Sequence, residues 1–119
     1  MTDRAGRPAV PGEPVRGSQT GRPIMATFDL LGRRWMLRIL WELRHGPVGF
    51  RALQAQCDQL SPTVLSARLT DLRTAGLAEQ DESRAHRLTP LGEELLESLA
   101  PLRIWSERWA EATDTARRT

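Results

Sequence analysis

Glycine and proline divide this chain into short helical pieces, and no other feature limits its fold so tightly. Pro23, Ser61-Pro62 and Thr89-Pro90 mark helix starts, while Gly32, Gly46-Pro47 and Gly76 mark stops. Proline suits a first helical position because its missing N–H would lack a partner there anyway. A glycine just past the last turn takes backbone angles that other residues resist. The punctuation predicts helices over 24–32 and 33–46, a third within 48–57 after a brief extended lead-in, a fourth from Ser61 to about Ala75, and a last one from Pro90 onward.

Periodicity inside those pieces says which faces are inner. Leu65, Leu69 and Leu72 recur at steps of four and three, so they form one stripe of the fourth helix. Phe50, Leu53 and Cys57 do the same for the third. Between Trp35 and Leu43 only Arg38 and Glu42 are polar, which reads as a central helix buried around most of its circumference. Apolar residues at 91, 95, 99, 102, 105 and 109 make one long stripe on the last helix. Pro101 falls inside it, so that helix is expected to kink or restart there. The segments LAEQ, DESR and AHRL (77–88) alternate in character and read as a β-hairpin with its tip near Glu82–Arg84.

The order is four helices, a hairpin and a helix, with only Asp58-Gln59-Leu60 between helices three and four. That order is a helix-turn-helix followed by a β-wing, mainly α with a small β-hairpin. Residues 1–22, rich in Pro, Gly and Arg, read as a flexible arm that either brushes DNA phosphates or is a plain leader. Residues 23–112 form the domain and 113–119 a tail. With 119 residues the chain holds one domain, and a core of this size is marginal for a monomer, so pairing would help it. No apolar run approaches the ~18 residues that a membrane helix needs. No signal peptide is evident, and one cysteine excludes an internal disulfide, which together fit a reducing cytoplasm.

Charge is uneven along the chain. All 17 basic residues are arginine. Residues 33–73 carry Arg33, Arg34, Arg38, Arg44, Arg51, Arg68 and Arg73 against Glu42, Asp58 and Asp71. Residues 74–112 carry Arg84, Arg87, Arg103 and Arg108 against eight acids. The first half suits a polyanion and the second repels it, unless both are simply solvated surface.

The segments FDLLGRRWMLRILWEL, GFRALQ, LSPTVLSARLTDLRTAGL and HRLTPLGEELL resemble the HxlR-type transcriptional regulators, relatives of the MarR winged-helix group. The resemblance spans about residues 25–109 and implies a dimeric DNA-binding regulator, often a repressor. Two departures stand out. Many members carry a Cys-Pro pair before the first helix, and in several that cysteine senses oxidants or electrophiles. Here the stretch is Arg22-Pro23-Ile24-Met25. The hairpin is also short and carries Glu79, Asp81 and Glu82, which should weaken its hold on the minor groove.

Opposite the leucine stripe, Thr63, Ser66, Ala67 and Thr70 face outward, with Arg68 at the margin and Ser61 as the cap. Short side chains let a helix approach the floor of the major groove, where hydroxyls bond base edges or phosphates and methyls meet thymine. Taken alone, such a stretch is also just a capped amphipathic helix. Arg68 would grip a phosphate or a guanine edge, the latter giving roughly 1–3 kcal/mol of discrimination. Arg51 is a candidate phosphate clamp, and Arg84 either enters the minor groove or balances Glu82. Arg33 and Arg34 either hold phosphates or form ion pairs; Arg73 pairs with acids.

Trp105 and Trp109 lie four apart and share a face. They are either core or, with Leu102, Phe28 and Leu31, a homodimer seam. Cys57 is either a buried apolar filler or a thiol sensor. His86 reads as a structural strand residue. Among His45, Cys57 and His86 there is no metal-ligand spacing, and no phosphate loop or nucleophile–base pair is present, so neither an enzyme nor a cofactor is expected. The expected partners are double-stranded DNA, a second copy of the chain and a small-molecule effector held near Trp35, Trp41 and the last helix. The alternative is a winged-helix interaction module that dimerises without reading DNA.

Overall fold

The computed structural model describes residues 22–118. The arm expected over 1–22 therefore lies outside the described residues except for Arg22, which precedes the first helix. The elements run α1 (Pro23–Leu31), α2 (Met36–Glu42), α3 (Phe50–Gln56), α4 (Pro62–Thr74), β1 (Ala78–Gln80), β2 (His86–Leu88) and α5 (Pro90–Arg118).

Proline does start α1, α4 and α5. Ser61 caps α4, its Oγ accepting from the Val64 N–H at 3.5 Å. Thr89 does more at the head of α5. Its Oγ1 donates to the Gly76 carbonyl at 2.7 Å and accepts from the Gly92 N–H at 3.1 Å, which pins the helix to the end of α4. Gly76 takes φ +79, the left-handed angle expected of a stop. Gly32 does not; its φ is −79, and it is small because a Cβ there would meet the Phe28 carbonyl oxygen at 2.9 Å.

The expectation of a long buried helix over 33–46 fails. Residues 33–35 form a turn in which Trp35 sits at φ 73, and α2 is only seven residues long. Met36, Ile39, Leu40 and Leu43 face the core, but Leu37 and Trp41 lie outside, with the Arg44 guanidinium 3.9 Å above the Trp41 ring. The core joins those four to Leu30, Leu53, Cys57, Leu60, Leu65, Leu69, Leu72, Leu77 and Leu88.

Between α3 and α4 the chain turns through Asp58 and Gln59, both at positive φ. The turn is closed by Gln54, whose Nε2 donates to the Leu60 carbonyl at 2.9 Å. Strands β1 and β2 pair antiparallel in the register Ala78–Leu88, Glu79–Arg87 and Gln80–His86. His86 also exchanges two backbone hydrogen bonds of 2.8 Å with Val48, so the wing is fastened to the lead-in of α3.

Helix α5 has 29 residues, about 43 Å at the usual rise. It passes through Pro101 without a break, where a restart was one expectation, and continues to Arg118, so the expected tail at 113–119 is helical through Arg118. Its first turns pack closely, with Gly92 buried against Leu77 and Leu88 of β2, and Leu95 and Leu96 half-buried. From Ala100 to Arg118 every residue is exposed. The architecture is a winged helix-turn-helix with a projecting C-terminal helix.

Candidate nucleic-acid interface

The outer side of α4 presents what the leucine spacing implies. Leu65, Leu69 and Leu72 are fully buried, and Thr63, Ser66, Ala67 and Thr70 are exposed. The hydroxyls of Thr63 and Ser66 make no hydrogen bond among the described residues. That of Thr70 accepts from the Arg73 guanidinium at 3.3 Å, so Arg73 braces this face rather than pairing with an acid. The surface is therefore smooth, short-chained and rich in hydroxyl groups. Arg51, one residue into α3, is exposed and has no ion pair or side-chain hydrogen bond among the described residues.

Arg68 departs from its expected role. Its guanidinium is turned in, with Nη1 donating to Asp71 Oδ2 at 2.7 Å and Nε to the Arg34 carbonyl at 3.0 Å. The same Asp71 oxygen accepts from Arg33 Nη1 at 3.2 Å, and Arg33 Nη2 reaches Asp29 Oδ2 on α1 at 3.2 Å. With Nε and Nη1 so engaged, only Nη2 is left without a partner among the described residues, too little for a bidentate grip on a guanine edge. Of the two readings for Arg33, the ion pair is what the structure contains. In the sequence Asp71 entered only as one acid of a charge count, yet it is 2% exposed; the signal was a lone acid three residues from Arg68, beside the leucine stripe.

Two acids of the wing have partners within it. Glu79 is paired with Arg87 at 2.9 Å. Asp81 Oδ1 accepts from the Ser83 N–H, the Ser83 hydroxyl and the Ala85 N–H, which organises the tip. The Ser83 hydroxyl, with further backbone donors, holds the Asp81 carboxyl below its usual range. Two of the three acids are thus occupied by the wing itself. Arg84 stands exposed at the tip at φ 69, its carbonyl accepting from Gln80 Nε2 at 3.2 Å, with no ion pair among the described residues, Glu82 included.

His86 is buried in the wing against the Phe50 ring, and its Nδ1 has no hydrogen-bond partner. Burial, with Arg73 nearby, pushes its pKa below the ordinary value. Cys57 is wholly buried, and burial pushes its thiol up despite Arg38 nearby. That is the environment of an apolar filler, not of a reactive thiolate.

Of the residues assigned to a seam, Phe28, Leu102, Trp105 and Trp109 are exposed, the last by 62%. The two indoles stack at 5.3 Å. Leu31 instead packs half-buried on the core and lines a cleft of about 290 Å³ together with Ala26, Leu30, Leu77, Leu91 and Leu95. The cleft lies between α1 and α5, with Glu94 at its wall; of the elements expected near an effector it involves the last helix but neither Trp35 nor Trp41. Ile24, Leu91 and Ile104 extend the exposed apolar surface beyond the residues foreseen. Among the described residues no group of three or more His, Cys, Asp or Glu could hold a metal, and no helix is long and apolar enough to cross a membrane.

Residues 30–114 match the family model of HxlR-like helix-turn-helix proteins. An HTH-type transcriptional regulator of Methanocaldococcus jannaschii is 29% identical over 92 residues, covering 74% of this chain and 86% of that one. YvaP, an HTH-type transcriptional regulator of Bacillus subtilis, is 30% identical over 89 residues, covering 70% and 82%. Among solved structures, quinone-bound YodB from B. subtilis superposes with a TM-score of 0.66 at 28% identity, over 72% of this chain and 97% of that one. A possible HxlR family transcriptional factor from Thermoplasma volcanium does so with a TM-score of 0.65 at 27% identity, over 75% and 85%.

Proposed function

Because the chain belongs to the HxlR-like helix-turn-helix family and is a transcriptional regulator of that type, we propose that it represses transcription in the cytoplasm by reading double-stranded DNA as a homodimer. The observation that carries this is the exposed face of α4. Thr63, Ser66, Ala67 and Thr70 stand out from a rod backed by buried leucines. Such a rod fits the major groove, and the free N–H groups at its head, beside Ser61, suit a phosphate. Arg51 clamps the backbone, and Arg84 enters the minor groove from a wing whose own acids are mostly occupied.

The exposed part of α5 supplies the seam. A helix with Leu102, Trp105 and Trp109 in the open has an apolar stripe that a second copy would cover, with Phe28 of α1 beside it. Two reading helices related by a two-fold axis would meet a near-palindromic operator with half-sites roughly 34–36 Å apart. A small effector that changes this spacing would occupy the cleft between α1 and α5, where its walls are apolar and Glu94 offers one acceptor. The quinone is bound in the YodB structure, and the Cys-Pro pair found in many relatives is missing here, so an effector of this chain would act without a thiol at that position.

A salt titration against mixed-sequence duplex DNA tests the reading. The log–log slope of affinity is expected at about −0.9 per phosphate contacted. Absence of binding even at low salt would instead favour an interaction module, to which a domain with a net charge near zero is also suited.

A further inference from the structure

Apolar contact is non-directional, so a leucine stripe chooses the inner side of α4 but sets its rotation only coarsely. Something else must set it finely, because reading a groove depends on which side chains point into it. The described residues contain one buried acid, Asp71, and it lies on this helix. A buried carboxylate is costly unless fully engaged, and replacing a buried ion pair by apolar groups often leaves stability unchanged or raised. Its presence here therefore points to geometry.

Asp71 Oδ2 is gripped by two guanidiniums, Arg68 from the same helix and Arg33 from the turn between α1 and α2. Arg33 continues to Asp29 on α1, next to the exposed Phe28. Arg68 returns to the Arg34 carbonyl, just before Trp35, whose φ of 73 is a strained angle for a bulky residue. The bonds thus form a closed brace from α1 through its strained turn to the middle of α4. Charge-assisted bonds of this kind are short and directional, which is what a rotational lock requires.

We propose that Asp71 is a positioning residue that fixes the rotation of α4 relative to α1, and that Arg68 serves specificity by holding this brace and not by touching a base. The proposal rests on the DNA-reading assignment above. It deepens that assignment by making the dimer-facing helix and the groove-facing helix one rigid unit.

The test compares affinity for the best duplex selected from a random pool with affinity for a mixed-sequence duplex. Asp71→Asn keeps the shape and loses the charge. The ratio of selected to mixed affinity is expected to fall about tenfold or more, while mixed-sequence binding stays equal or rises, because phosphate attraction tolerates a rotated helix. Arg68→Ala is expected to lower the ratio to the same extent, and the double variant to add little. Asp29→Asn, at the more exposed end of the brace, gives a smaller fall and carries the test should Asp71→Asn not fold. A ratio within about twofold of wild type for Asp71→Asn overturns the proposal, as does equal weakening on both duplexes or a loss confined to Arg68→Ala. If the wild-type protein binds no duplex at all, the DNA-reading assignment itself falls, and the brace loses the role given to it.

Discussion

Replacing Gly92 with alanine sets two effects of opposite sign against each other. Within a helix, alanine is favoured over glycine by up to about 0.8–1 kcal/mol, less in the first turn where Gly92 stands, so propensity alone forecasts a stabilised protein. Packing forecasts the reverse. A Cβ at Gly92 would stand 2.1 Å from the Leu77 carbonyl oxygen and 3.1 Å from its carbon, which is backbone and cannot swing aside as a flexible side chain would. Relief needs a shift of roughly 1 Å between α5 and the approach to β1, of the kind that typically costs 1–3 kcal/mol in a filled site. The same Leu77 oxygen accepts the Thr89 N–H at 3.0 Å, so the shift also strains a bond contributing about 1 kcal/mol net. The balance is a loss of about 1–3 kcal/mol. For a domain of this size each kcal/mol lowers Tm by roughly 4–8 °C. Thermal unfolding of Gly92→Ala and wild type, at one protein concentration so that dimerisation does not intrude, reads the result. An unchanged or raised Tm would refute the claim that α5 sits in backbone contact with the wing.

Three further outcomes follow from the geometry. Arg51→Ala is expected to weaken binding to all duplexes alike and to reduce the salt slope by about 0.9, measured by fluorescence anisotropy at several salt concentrations. Trp109→Ala removes one of two stacked, exposed indoles, so it should shift the monomer–dimer equilibrium toward monomer in sedimentation and make Tm rise more steeply with protein concentration. His86 gives a pH dependence whose sign can be worked out. Its folded pKa is depressed by burial, so below the ordinary value of 6.5 the unfolded chain binds a proton that the folded one refuses. Stability is therefore undisturbed above about 6.5 and falls as pH drops below it. His86→Leu should flatten the Tm profile between neutral and mildly acidic pH; an unaltered slope would exclude His86 as its source.

The fold was legible where the chain carries its own punctuation. Proline at a first position and a capping hydroxyl act locally, so the starts of α1, α4 and α5 fall within a residue of the reading. The turn at 33–35 was not legible because nothing local demands it. Arg33, Arg34 and Trp35 all tolerate a helix, and the turn is held by partners 29, 68 and 71, the last two more than thirty residues away. Pro101 misled in the other direction. It removes one hydrogen bond, the one to the Glu97 carbonyl, and on a helix already exposed to water that carbonyl can turn to solvent without a break.

The site divides along the same line. Thr63, Ser66, Ala67 and Thr70 were legible as an outer face because periodicity assigns sides of a helix without reference to anything else. Charges were not, since a sequence supplies their sign but not their partners. Arg68 was read as available and is bound; the wing is acidic as read, but its Glu79 pairs with Arg87 and its Asp81 organises the turn. A net charge gives the sign of the field a polyanion would feel but not which donors are already engaged, and it is the engagement of Nε and Nη1 of Arg68 that the sequence concealed. Among the described residues the exposed side chains of Arg34, Arg51 and Arg84 have no ion pair or hydrogen bond, and the last two flank the hydroxyl-bearing helix. These two sit on either side of α4 in the chain, and the Val48–His86 bridge ties the lead-in of one to the strand behind the other. On the proposed reading, a duplex would be met by these cations at a spacing set by backbone hydrogen bonds, with the uncharged hydroxyl face of α4 as the part that reads sequence.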